Sequence, residues 1–204
     1  MSCCALLCAC ADTAGDFITE GYVVRPDDTL YSIAWRHDVD FRDLARWNNL
    51  GSDFRITVGQ VLVLGPLPAH APNAQEVPGS AATAGSKWSG PTDRVGAPRR
   101  VAGGGILLPG RVGQDVRAAS AGHVVYTGSG LRGYGNLIIV KHGDNLLSAY
   151  AHNREMLVHD GQDVAMGQVI AHMGEDAQRS PVLYFEIRQN GKPVDPLPFL
   201  FEAK

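Results

Sequence analysis

Residues 65–87, "GPLPAHAPNAQEVPGSAATAGSK", are rich in Pro, Ala, Gly and Ser and keep no sustained apolar period. Such a segment cannot bury enough surface to offset its ordering entropy, so it reads as a flexible linker. It divides the 204 residues into two patterned regions, 21–64 and 88–204, which share no internal repeat. Hydrophobic residues make up 45% and charged residues 19%, which argues against wholesale disorder. The formal net charge of -3 gives no reason to expect nucleic acid, whose binders carry basic patches. No apolar run is long enough to span a bilayer.

The first region predicts the order β-α-α-β. "YVV" is a short β-rich run, and "DDTLYSIAWRH" opens a helix capped by Asp28 or Thr29, with Leu30, Ile33 and Ala34 as its apolar stripe. "DFRDLARWN" gives a second helix with Phe41, Leu44 and Ala45 on one face. Asn48, Asn49 and Gly51 end it, and "QVLVL" supplies a strand after the turn at Gly59. The second region is turn-punctuated. "HVVYTG", "NLIIVKHG", "LLSAYAHN", "QVIAHMG" and "VLYFEIR" are short apolar or alternating runs between Gly, Asp and Asn, which predicts an all-β domain with a two-layer or barrel-like core.

Cys3, Cys4, Cys8 and Cys10 are the chain's only cysteines. A disulfide framework would spread them through the fold, and their spacing is not that of a zinc site. "CCALLCAC" followed by "ADTAGD" looks instead like the apolar end of a secretory signal, so residues 1–20 read as signal and N-terminal tail. "LCAC" resembles a bacterial lipobox. That resemblance implies lipidation at Cys10 and an anchor to the outer membrane, facing the periplasm of a Gram-negative bacterium.

"YVV…DDTLYSIA…NNL…I…GQVL" resembles the LysM module over its full length, with Asp27 where a glycine is usual. The resemblance implies binding of N-acetylglucosamine-containing chains of peptidoglycan, in a groove between "DDTLY" and "NNLGSDFRI". Asp28, Thr29, Asn49 and Ile56 are its candidate contacts. Thr29 and Asn49 can equally be helix caps, a role compatible with presenting backbone amides to a sugar.

"GHVVYTGSGLRGYGNLIIVKHG…LLSAYAHN…YFEIRQNGKPVDPLPFL" resembles the LytM, or lysostaphin-like, metallopeptidase domain. Active members hold one zinc through H-x-G-x-D and the second histidine of H-x-H, leaving a site for water that the metal activates. Here "GGGILL" stands at the first motif, placing Gly103 and Leu107 in the ligand slots. "VLYFE" stands at the second, with Val182 and Tyr184 in place of histidines. His152 in "YAH" survives, but it is not a metal ligand in the family. The resemblance therefore implies a degenerate domain with no catalytic residue, no metal and no cofactor. His123, His142, His159 and His172 read as surface or turn histidines.

A LysM module, a linker and a LytM-type domain with erased ligands resemble the murein hydrolase activator NlpD family. That resemblance implies a non-catalytic partner of a periplasmic N-acetylmuramoyl-L-alanine amidase in cell division. In "VLYFEIR", alternation puts Leu183, Phe185 and Ile187 in the core and Val182, Tyr184, Glu186 and Arg188 on the opposite face. "SAYAH" likewise puts Ser148, Tyr150 and His152 on a common face. The expected partner groove is thus Tyr150, His152, Val182, Tyr184 and Arg188. The alternatives are an active zinc endopeptidase with unrecognised ligands and a passive wall-binding lipoprotein.

Overall fold

The computed structural model of the protein describes residues 21–66, 88–93, 95–143 and 145–201. Cys10 with the rest of residues 1–20, and the linker from residue 67 to 87, lie outside the described residues.

The first region folds in the predicted order. β1 (Gly21–Val23) is followed by α1 (Leu30–Arg36), α2 (Phe41–Trp47) and β2 (Val61–Val63), which pairs antiparallel with β1. Thr29 caps α1. Its hydroxyl accepts from Ser32 N–H at 3.1 Å while Ser32 Oγ accepts from Thr29 N–H at 3.0 Å, a closed capping box. The Asn48 side chain accepts from Val63 N–H at 2.7 Å and donates to the Leu44 carbonyl at 2.8 Å, tying the end of α2 to β2. Asp27 sits at φ +66°, a left-handed conformation that costs least for glycine, which gives the glycine usual at this position its physical reason.

The second region forms one antiparallel sheet. Its strands are β3 (Arg99–Arg100), β4 (Ile106–Pro109), β5 (Asp115–Arg117), β6 (Gly122–Gly128), β7 (Asn136–His142), β8 (Leu146–Met156), β9 (Asp163–Val164), β10 (Val169–Met173), β11 (Val182–Gln189) and β12 (Lys192–Val194). The order is β3-β4-β11-β8-β7-β6-β9, with β12 beside β11 and β10 pairing with both β5 and β8. A short helix, α3 (Leu197–Phe201), closes the described chain.

Both faces of this sheet are covered. Ile138, Val140, Tyr150, Leu183, Phe185 and Ile187 pack inward with Val116, Ile170 and Met173. On the other, outer face, Leu137, Ile139, Leu147, Ala149 and Ala151 share a single apolar cluster with Leu30, Ile33 and Trp35 of the first module. This is why "LIIV" (residues 137–140) is apolar at every position rather than alternating: a strand covered on both sides has no solvent face. The two regions separated by the linker are packed against each other.

His142 corrects the expectation of a surface or turn histidine. It is 5% exposed, at the end of β7. Its Nδ1 donates to the Ala121 carbonyl at 2.8 Å, which leaves Nε2 to accept from the Ser148 hydroxyl at 2.6 Å. Ser148 Oγ lies 3.0 Å from the Tyr150 hydroxyl, which accepts from Ala119 N–H at 2.8 Å. Burial lowers the His142 pKa to about 4, partly opposed by the Ala121 bond. The unfolded chain therefore takes up a proton that the folded chain refuses. Stability should be unaffected above about pH 6.5 and fall as the pH drops toward 4, by on the order of 3 kcal/mol from this group. Thermal melts across that window should show the decline, and His142→Gln should flatten it. A slope that survives the substitution would assign the decline to other groups.

Candidate functional site

The outer face of β11 carries a chain of polar side chains that ends inside the first module. Tyr184 lies opposite Leu107 on β4 and opposite Ala151 on β8. Its ring covers Gly105, where a Cβ would come within 2.5 Å of it. Tyr134 meets that ring edge-on at 5.4 Å, and the His152 ring lies 6.2 Å away. The Tyr184 hydroxyl donates to Glu186, whose other oxygen accepts from Arg188 Nε at 2.7 Å. Burial and the neighbouring Glu186 carboxylate push the Tyr184 pKa far up, so it stays a neutral donor.

Arg188 then crosses to the first module. Its Nη1 donates to the Trp35 carbonyl at 2.9 Å and lies 3.1 Å from an Asp38 oxygen, while the guanidinium stacks 3.8 Å from the Trp35 ring centre. Trp35 Nε1 donates to the Tyr134 hydroxyl at 3.2 Å. At the β11–β12 turn, Arg42 donates to Asn190 Oδ1 at 2.7 Å and Lys192 to the Asp38 carbonyl at 3.1 Å. Gly191, at φ +74°, lets the turn approach so closely that a Cβ would stand 2.6 Å from Asp40 N.

Three residues of the expected partner groove are corrected. Tyr150 is fully buried on the inner face, tilted against Phe185 at 5.3 Å, because strict alternation fails at His152. Two steps along β7, from Asn136 to Ile138, match three along β8, from Asn153 to Tyr150, and His152 takes φ +63° in this bulge. The bulge turns His152 toward Tyr184 instead of stacking it above Tyr150. Arg188 is on the predicted face but only 5% of its side chain is exposed, because the first module sits on it. Val182 is also on the predicted face but is only 3% exposed, so it offers a partner almost no surface; the half-buried His152 and Tyr184 remain at the uncovered end. Burial lowers the His152 pKa against the opposing charge of Asp176, keeping the imidazole neutral at neutral pH.

At the positions assigned to zinc ligands, Leu107 and Tyr184 offer no imidazole or carboxylate, and Gly103 adopts φ +97°, a conformation that side-chain-bearing residues rarely take; Val182, at the other histidine position of the second motif, offers none either. Among the described residues no three His, Cys, Asp or Glu side chains lie close enough to hold a metal ion.

The glycan candidates divide. Asp28, Thr29 and Ile56 line one cleft of about 350 Å³, together with Tyr31 and Phe54. Asn49 is exposed and does not line it; its φ of +52° marks it as the residue that turns the chain after α2. Asp28 is chiefly structural, with its side chain 6% exposed. Its carboxylate accepts from the Tyr22 hydroxyl at 2.7 Å and Arg25 N–H at 2.9 Å and pairs with Arg36 at 3.1 Å. Tyr31 and Phe54 were not anticipated, although both lie inside the stretches "DDTLY" and "NNLGSDFRI" that bound the groove. Across the cleft stand His123, Val125 and Gly161 of the second region.

The LysM domain model matches residues 22–65 and the model for peptidase family M23 matches residues 102–196. The chain is 38% identical to a lipoprotein NlpD/LppB homolog of Pseudomonas aeruginosa, over 90% of this chain and 78% of that protein. The chain belongs to the NlpD/LppB lipoprotein family. It is 34% identical to the murein hydrolase activator NlpD of Escherichia coli, over 91% of this chain and 69% of that one. Among solved structures, a putative peptidase M23 from Pseudomonas aeruginosa superposes with a TM-score of 0.53 at 24% identity, over 57% of this chain and 51% of that chain, and shows the shared fold. Lysostaphin from Staphylococcus simulans gives 0.50 at 26% identity, over 58% of this chain and 54% of its own. In this NlpD-family chain, the M23-type sheet is the one whose outer face is occupied by the LysM module.

The Arg188 junction yields a stability test. Arg188→Met would leave Glu186, 1% exposed, with a buried charge and no cation beside it. Removing one partner of such a pair costs about 3–5 kcal/mol. Urea unfolding should register that loss, and Glu186→Gln added to Arg188→Met should recover much of it. An unchanged midpoint for the single variant would mean that the seam contributes nothing to stability.

Proposed function

We propose that this protein is a non-catalytic, peptidoglycan-bound activator of a periplasmic N-acetylmuramoyl-L-alanine amidase, acting in daughter-cell separation and anchored by lipid to the outer membrane. The observation that carries the reading is what stands at the metal slots: a tyrosine hydrogen-bonded to a buried Glu186–Arg188 pair, in a chain related to named murein hydrolase activators. Water activation by a metal needs several ligands around one open position. Leu107, Val182 and Tyr184 supply apolar and aromatic groups there instead, and Gly103 supplies no side chain. His152, without such a centre, acts as a polar group at the rim. The LysM match supports attachment to the wall, and relatives named as lipoproteins support the anchor.

The amidase docks at the uncovered end of the outer face, around His152, Tyr184 and Tyr134, where apolar rings carry polar tips suited to protein recognition. The Arg188 end is taken by the LysM module. Docking that extends to it requires the module to lift.

Full-length protein mixed with candidate amidases and labelled sacculi should raise murein release with at least one of them and release none alone. Release by the protein alone, abolished by a chelator, would establish an endopeptidase. A separate expectation concerns metal. Tyr184→His should bind no stoichiometric zinc by elemental analysis, since Gly103 and Leu107 still offer no ligand. One zinc per chain in that variant would refute the assignment of the slots.

A further inference from the structure

A second cleft, of about 460 Å³, is lined by residues of both modules. Arg25 and Arg36 reach it from the LysM side, Arg132 and Arg188 from the sheet side, with Tyr134 beside them. Asp38 is the single carboxylate among the residues that line it. That excess of positive charge stands out in a chain whose formal net charge is -3.

The four cations are not equivalent. Arg36 is paired with Asp28, and Arg188 with Glu186 and Asp38. Arg25 lies over the Tyr22 ring, 5.7 Å from its centre, and has no ion pair among the described residues. Arg132 likewise has none. Its position is nevertheless fixed, because it follows Leu131, which is 3% exposed, in a loop pinned by the Tyr134 N–H bond to the Leu131 carbonyl and the Gly130 N–H bond to the Tyr126 hydroxyl. Two exposed guanidinium groups with no ion pair among the described residues, one from each module, thus line one cleft.

We infer that this cleft is a binding site for the carboxylates of a short acidic peptide attached to the glycan that the LysM module holds. Guanidinium groups take carboxylates in a two-pronged fork, and an anion between them also relieves their mutual repulsion. The peptide assignment rests on the wall-binding reading above and on the connection between the two clefts. Asp28 lines the glycan cleft, and its ion-pair partner Arg36 lines the arginine cleft. Asp28 also accepts from Arg25 N–H, so a single carboxylate separates the two clefts, and acidic substituents of a sugar chain seated at Thr29 and Ile56 have only to reach past it to meet Arg36 and Arg25. Because each module supplies half of the cations, occupancy of the cleft is thermodynamically linked to the modules staying together. The ligand binds best to the docked form.

The test uses the full chain and the double variant Arg25→Glu/Arg132→Glu. Both residues are exposed and neither belongs to the Arg188 junction. Two soluble probes are titrated by calorimetry at low and moderate salt: an N-acetylglucosamine tetramer, and a peptidoglycan disaccharide bearing its acidic tetrapeptide. The wild type should bind the peptide-bearing probe in a salt-sensitive way. The double variant should lose that affinity tenfold or more and keep its affinity for the tetramer, while Arg25→Lys/Arg132→Lys should retain part of the peptide's advantage. Equal loss of both probes, or no loss of either, overturns the proposal. If the wild type ignores the tetramer yet binds the free tetrapeptide through these arginines, the glycan reading falls and the arginine site stands.

Discussion

The arrangement of the two modules turns on one guanidinium group. Arg188 projects from a sheet face whose other residues under the first module are mostly apolar, and its charge is met from its own strand by Glu186 and from the LysM module by Asp38, the Trp35 carbonyl and the Trp35 ring. A cation buried this deeply is tolerable only when its donors are matched. Glu186 alone leaves Nη1 without a partner, and the LysM module completes the set. The module is therefore part of the electrostatic solution for the sheet, and the sheet's apolar residues around it, Ile139, Ala149 and Ala151, gain their cover by the same contact.

Much of the fold was legible because local pattern and tertiary environment agreed. The cap at Thr29, the stripe of Leu30 and Ile33, and the inward set Leu183, Phe185 and Ile187 follow from periods of 3.6 and 2. The site was less legible where one residue broke the period. Nothing in "SAYAH" announces that His152 takes a left-handed conformation, and that single bulge sends Tyr150 inward and His152 outward. His142 escaped because a histidine before a turn looks solvated; its burial depends on Ala121 and Ser148, remote in sequence or hidden by alternation. The module contact did leave a trace. Strands with no polar face, such as "LIIV", require cover on both sides, and among the described residues the first module is the one other folded unit that provides it.

Tyr184 and the seam residue Arg188 stand on the same strand, β11. Tyr184 occupies space over Gly105 and hands its hydroxyl to Glu186, which then orients Arg188 toward the LysM module. A histidine at 184 would not make this connection in the same way, since imidazole is shorter than phenol and divides its polarity between two ring nitrogens. The tyrosine at this position therefore also supports the module's resting place.

Gly103 adds a separate constraint. With its backbone at φ +97°, the position accepts glycine readily and resists any residue with a Cβ. Placing a metal-ligating side chain there would demand a new main-chain path as well as a new side chain, and no single substitution delivers both. Under the non-catalytic reading proposed above, the loop before β4 is a lock on the chemistry of the site as well as a turn.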